Sequence, residues 1–217
     1  MIRVAEHAGV VVSRLRGGSE KLDALSFAGD RPLIVLSSTK ASSSRERYSV
    51  AHELGHLVLH RGQETGGVER EKEANLFAKC LLLPRDQFSM EFRAMGSASW
   101  TSIFELKDRW KAPGPAILQR ASTLGLVDAV SARRLYKQHS ARGWQKSEPH
   151  EPPFEEPELI DHSLDLVERF TGKGIRELAD DLGHGPVSSE TLLGLPFPPE
   201  PIRFPENVTA IKDFVRR

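Results

Sequence analysis

Apolar residues recur along this chain with two different periods, and the change of period divides it. Over residues 1–16 the positions Val4, Ala8, Val11, Val12 and Leu15 follow helical spacing and predict a first helix. Asp23 to Phe27 and Leu33 to Ser38 are short apolar runs around Ala28-Gly29-Asp30, a turn signal, and predict a β-hairpin. Ser42-Ser43-Ser44 is a polar loop and a candidate cap for a helix from about Arg45 to His60, ended by Gly62. Gly66-Gly67 marks another loop. Residues 68–82 then read as a helix stopped before Pro84, with an apolar face of Leu76, Phe77, Cys80 and Leu81. Short helical segments continue to about Arg142, among them 101–110, 114–123 and 131–139. Residues 159–170 and 175–182 are predicted helices joined by a turn at Gly172-Lys173-Gly174, and Pro196 to Pro205 is irregular. No internal repeat is present. The pattern is α+β: mostly helical, with a small hairpin or sheet.

Composition narrows the classes. At 217 residues the chain has room for one or two domains. Its 30 Lys plus Arg balance 30 Asp plus Glu, which excludes a globally basic nucleic-acid coat and an acidic disordered chain. No apolar run approaches the ~18 residues of a membrane span, and the N-terminus lacks the features of a signal peptide. The single cysteine, Cys80, permits no intrachain disulfide and fits a reducing cytoplasm. Local charge is uneven. Residues 93–146 hold ten Lys/Arg against three Asp/Glu, whereas 147–168 hold eight Asp/Glu and no Lys/Arg. Four prolines between Pro149 and Pro157 mark the switch, and stiff, self-repelling composition there reads as a linker, with a long surface loop of one domain the competing reading. The organisation expected is a core at 1–92, a basic helical region at 93–146 completing it, an acidic Pro-rich linker at 147–158, and a small helical region at 159–217.

The chemistry lies in the helix at 45–60, which contains His52-Glu53-Leu54-Gly55-His56, an HExxH motif. Histidines at i and i+4 share a helix face and can reach one metal ion. Glu53 is rotated about 100° from His52, so it sits beside such a metal rather than on it, placed to take a proton from water. Composition makes the chance frequency of this motif about 0.03 per chain. A third ligand must come from elsewhere, and Glu69, Glu71 and Glu73 on the following helix are all candidates. His60 extends the series to HxxxHxxxH, but i+8 drifts about 40° and three ligands on one straight helix would crowd one side of a tetrahedron. Its plain reading is a polar C-terminal helix residue.

RERYSVAHELGHLVLH followed by EREKEANLFAKCLLLP resembles the ImmA/IrrE family of zinc metallopeptidases, which pairs an AHELGH helix with a later E-x-x-x-N segment ending in LLxP. The hairpin LSFAGDRPLIVLSS and the stretch from Leu106 to about Pro149 are similar as well, so the likeness covers most of residues 20–150. It implies a zincin-like fold, one zinc ion and protease activity. In related gluzincin-type enzymes the third ligand lies four residues before an Asp or Asn that supports a ligand histidine. Counting back from Asn75 selects Glu71, then Glu73, then Glu69, with Asn75 orienting His52 or His56. The implied roles are His52, His56 and Glu71 as zinc ligands and Glu53 as general base, with a strand, 33–38, pairing with the extended substrate. Tyr48, His60 and Arg85 are open candidates for the oxyanion helper.

The resemblance also implies a partner. Members of the family act on transcriptional repressors of the helix-turn-helix, phage-repressor type, as regulated, low-turnover proteases, and many are fused to or encoded beside them. About twenty residues precede the hairpin here, too few for a DNA-binding domain. The rival reading is a regulator that binds DNA or a repressor without cleaving it, using the basic helices of 93–146; direct nucleic-acid binding is the lesser expectation. Elsewhere the plain readings prevail. Cys80 is expected as a buried structural thiol, Trp100, Trp110 and Trp144 as packing residues, and His139, His150, His162 and His184 as surface residues.

Overall fold

The computed structural model describes residues 1–15, 23–38, 42–61 and 67–183. Helix α1 spans Ile2–His7, and three strands follow: β1 (Val11–Leu15), β2 (Ala24–Ala28) and β3 (Pro32–Ser37). The long helices α2 (Ser43–Leu59) and α3 (Val68–Leu82) come next, then α4 (Arg85–Ala94), α5 (Trp100–Trp110), α6 (Gly114–Thr123) and α7 (Ala129–Ala141). Helices α8 (Leu159–Thr171) and α9 (Ile175–Asp181) complete the described elements. The α+β expectation holds. Pro196 to Pro205 and His184 lie outside the described residues.

The N-terminal stretch corrects the sequence reading. One helix was expected over residues 1–16, but α1 stops at His7 and β1 begins at Val11. Gly9 turns the chain with φ +85°, a backbone conformation that favours glycine. Val10, Val11 and Val12 then take the extended form that β-branched side chains prefer. What holds them there is remote: β1 pairs in parallel with β3, Val11 opposite Leu33 and Leu15 opposite Ser37. The hairpin is as expected, with β2 antiparallel to β3 and Ala28 opposite Pro32. The sheet order is β1-β3-β2.

Helix α2 lies on the sheet and along α3. Its buried Val50, Ala51 and Leu54 join Val12, Ile34 and Leu36 of the strands in one core with Phe88, Ile103, Leu106, Ile117 and Leu118 of the later helices. Each such aliphatic side chain contributes about 1.5–3 kcal/mol on burial. Helix α3 meets α2 through Ala74, Ala78 and Leu82, not through the expected Leu76, Cys80 and Leu81, which are exposed. Those three recur at i, i+4 and i+8 and set the inward face, with the expected Phe77 at its margin. The helices approach closely at Gly55, where a Cβ would come within 3.1 Å of the Phe77 side chain and 3.2 Å of the Ala74 Cα.

The acidic segment expected as a linker lies bound along the domain. Lys107 and Glu148, both with fully buried side chains, pair at 2.7 Å, and Glu148 also accepts from the Gly114 backbone N–H at 3.0 Å. Glu151 caps α2: its carboxylate accepts from the Ser42 hydroxyl (2.9 Å), the Ser43 hydroxyl (3.0 Å), and the Ser44 hydroxyl (3.0 Å) and backbone N–H (2.8 Å). Glu155 binds Arg47 of α2, and Glu158 pairs with Arg3. Glu6 returns the arrangement, accepting from the backbone N–H groups of Glu158 and Leu159 at the start of α8. An anion at a helix N-terminus is favoured by the unpaired N–H groups and the helix dipole.

Candidate metal centre

Ser42 caps α2 by accepting from the Arg45 N–H, and the helix runs unbroken through His52 and His56, as the sequence reading requires. Their Nε2 atoms lie 3.0 Å apart. Glu71, in the first turns of α3, brings Oε2 to 3.2 Å from His52 Nε2 and Oε1 to 3.3 Å from His56 Nε2. These three are the one metal-capable group of His, Cys, Asp and Glu among the described residues. Tetrahedral bonds of about 2.0–2.2 Å set neighbouring donor atoms about 3.3–3.6 Å apart, and the observed separations of 3.0–3.3 Å, with a different Glu71 oxygen nearest each histidine, are close to that spacing. Burial, and then the neighbouring His52, push the His56 imidazole below its ordinary range, which favours the neutral ring a metal requires. The side chain of Glu71 is about half exposed, so the centre opens to solvent on the α3 side.

Glu53, next to His52 on α2, is held on its sheet side by β2. Its carboxylate accepts from the Ser26 hydroxyl of β2 at 2.6 Å, and the residue is buried. Ser26 escaped the sequence reading; the available signal was one polar residue inside the apolar run Ala24-Leu25-Ser26-Phe27. The strand expected to meet substrate needs correction too. β3 is paired on both sides, so its backbone has no free edge, and among the described residues the edge strand beside α2 is β2.

The remaining candidates separate cleanly. Glu73 does not reach the trio: its Oε2 lies 2.9 Å from His60 Nε2. His60 is the polar residue at the C-terminal end of α2 that was expected, and it is buried, with Nδ1 3.0 Å from His56 Nδ1. Glu69 is exposed and pairs with Lys72. Asn75, expected to orient a histidine, instead donates to the Glu71 backbone carbonyl at 2.7 Å and accepts from the Tyr48 hydroxyl at 3.1 Å. Burial pushes the Tyr48 phenol up to about 12, so it stays a donor. Arg85 is exposed at the start of α4 and makes no hydrogen bond to these residues. A groove of about 580 Å³ begins at Tyr48 and Asn75, one helical turn from His52 and Glu71, and continues past Pro113, Gln119 and Tyr136.

Other expectations are settled by burial. Trp100, Phe104 and Trp144 pack in one aromatic cluster. His139, read as a surface residue, is buried in that cluster, stacked on Trp100 and 3.3 Å from Glu148. In the basic region Lys107 and Arg120 are buried, Arg109 pairs with Glu91 and Arg142 lies over Trp144, while Arg93, Arg133, Arg134, Lys137 and Lys146 are exposed.

A small sheet flanked by a helix pair, with a two-histidine, one-carboxylate face between the helices, defines a zincin-like metallopeptidase domain. The particular family follows from the chain itself. The family model of the IrrE N-terminal-like domain, Peptidase_M78, matches residues 5–122, from α1 into α6, and the chain belongs to that family. No curated protein matches it. The matched span contains His52, Glu53, His56, Glu71 and Ser26. Among the described residues no helix is long and apolar enough to cross a membrane.

Proposed function

We propose that this chain is a zinc-dependent endopeptidase that cleaves a helix-turn-helix transcriptional repressor and thereby controls gene expression. The observation that carries the catalytic part is the convergence of His52, His56 and Glu71 to within 3.0–3.3 Å of one another, with the neighbouring Glu53 carboxylate held separately by Ser26. Zinc fits this donor set, two imidazoles and one carboxylate, and when bound would supply Lewis acidity toward water and the peptide carbonyl. The chain's own residues do the rest. Glu53 accepts the proton of the attacking water as its oxygen bonds to the carbonyl carbon, then delivers that proton to the amine nitrogen as the C–N bond breaks. Ser26 holds one oxygen of Glu53, leaving the other for this transfer. The edge of β2 offers backbone donors and acceptors to an extended peptide, and the groove at Tyr48 and Asn75 receives flanking side chains.

The repressor as substrate comes from the family resemblance. It is tested by incubating the zinc-loaded chain with a folded repressor of that type. Glu53→Gln should keep its zinc and its fold while cleavage falls by the ~10²–10⁴-fold of a lost general base. Cleavage by Glu53→Gln at the parent rate would overturn the mechanism. A repressor that both proteins bind and neither cuts would instead establish the non-proteolytic regulator.

A further inference from the structure

His60 and Glu73, which the sequence offers as rival ligands, form a chain of their own behind one ligand only. A histidine that gives Nε2 to a metal must carry its proton on Nδ1. His56 Nδ1 lies 3.0 Å from His60 Nδ1, and His60 Nε2 lies 2.9 Å from Glu73 Oε2. One assignment satisfies every atom: His56 Nδ1–H donates to His60 Nδ1, and His60 Nε2–H donates to the Glu73 carboxylate. His60 is 9% exposed, which shields the relay from water, while the Glu73 side chain is 54% exposed and keeps its charged end solvated. His52 has no counterpart: among the described residues, its one hydrogen-bond contact is the shared approach of the two Nε2 atoms.

We infer that His60 and Glu73 are positioning residues that fix the ring orientation and tautomer of His56 and strengthen its Nε2 as a metal donor, so that the two histidines of the motif are unequal. A carboxylate at the far end of a hydrogen-bonded imidazole pair draws the protons toward itself and raises the electron density left on the outermost nitrogen. The relay spans two helices, with His60 at the end of α2 and Glu73 in α3. It therefore also ties the helix that supplies Glu71 to the helix that supplies the histidines. The inference rests on the proposed zinc site and deepens it.

The test is zinc affinity of the full chain, measured by competition with a chelator, together with the His56 Nδ1–H proton resonance of the zinc-loaded protein. His60→Ala should weaken zinc by about 10–100-fold, the usual cost of losing such a support, and should shift or broaden that resonance. His60→Gln, whose amide oxygen can accept from His56 Nδ1–H, should recover part of the loss. Glu73→Gln keeps an acceptor but not the charge, so its loss should be smaller than that of His60→Ala. Glu69→Gln, on the same helix but paired with Lys72, should change nothing. If the parent binds zinc and His60→Ala binds it equally well, the relay is overturned while the site stands. If Glu73→Gln loses zinc as fully as His56→Ala, Glu73 is a ligand and the relay is overturned likewise. A parent that binds no zinc removes the site and the relay together. Equal melting temperatures of the metal-free variants separate positioning from general destabilisation; a fall in them that matches the zinc loss, without rescue by His60→Gln, would also overturn it.

Discussion

The two ends of α2 carry similar polar chemistry and put it to opposite use. At the N-terminal end, Ser42, Ser43 and Ser44 meet Glu151, and Glu151 and Glu148 meet Lys107, in a network where each charge has an opposite and each hydroxyl a partner. Further along, His52, His56 and Glu71 converge on one another at 3.0–3.3 Å. The first region is saturated and closed to a ligand. The second gathers three groups that could share a metal ion. A polar cluster becomes a candidate site by what its members leave unmet, so burial and charge alone do not distinguish the two regions; partner geometry does.

The sharpest way to break the comparison is to remove one donor. His56→Ala should drop zinc, read by metal analysis, from about one ion per chain to almost none, yet leave the metal-free chain's unfolding midpoint nearly unchanged. Lys107→Ala should do the reverse. It strands Glu148 and Glu151, and breaking a buried pair by deleting one partner costs about 3–5 kcal/mol in chemical denaturation, while zinc per folded chain stays near that of the parent.

Gly55→Ala joins the two regions. The new methyl would press on Phe77 and the Ala74 backbone, and overpacking costs about 1–3 kcal/mol. The gain in helix propensity returns about 1 kcal/mol. Glu71 recedes with α3, so zinc affinity should fall more than stability does. Ser42→Ala removes the helix cap and one bond to Glu151, for a loss of about 1 kcal/mol with zinc unaffected.

The smallest effect is one of pH. Burial alone would raise Glu151, but the bond from Lys107, the Ser44 N–H and the Ser42 hydroxyl together hold it below the ordinary carboxylate value of 4.5. The unfolded chain therefore takes up the proton first. The stability due to Glu151 is complete above pH 4.5 and is lost as pH falls through the lower folded value. Glu151→Gln should flatten the acid limb of a stability-against-pH curve at that point and leave its neutral part displaced but parallel.

What the sequence made legible was local. The bounds of α3, residues 68–82, follow from a glycine loop before and Pro84 after, and His52, Glu53 and His56 need only the helix they sit on. What escaped it depends on remote partners. Val11 and Val12 look helical in spacing until β3 supplies their hydrogen bonds. Leu76 and Leu81 look like core by size, because nothing in α3 itself reveals that the face of Ala74, Ala78 and Leu82 is the one turned to α2. Ser26 is one serine in a strand until the Glu53 face of α2 lies over it. The prolines and charges of 147–158 announce stiffness and extension correctly, but not that Lys107 and three consecutive serines complement them. Glu71 was chosen over Glu73 by analogy, and the separate attachment of Glu73 to His60 supplies the physical reason.

The attachment of Glu151 to α2 also sets an order of events during synthesis. Ser42 and Glu151 are 109 residues apart. At a translation rate of about 5–20 residues per second, the carboxylate that completes the helix cap is polymerised roughly 5–20 s after the serines it binds. His52, Glu53, His56 and Glu71 have been made by then, the first three on a helix whose N-terminus has only Ser42 to cap it. A nascent chain that stops short of residue 148 thus contains every reactive group of the centre and none of the acidic segment that fastens its helix. Full fastening of the start of α2 therefore waits until residue 151 has been made.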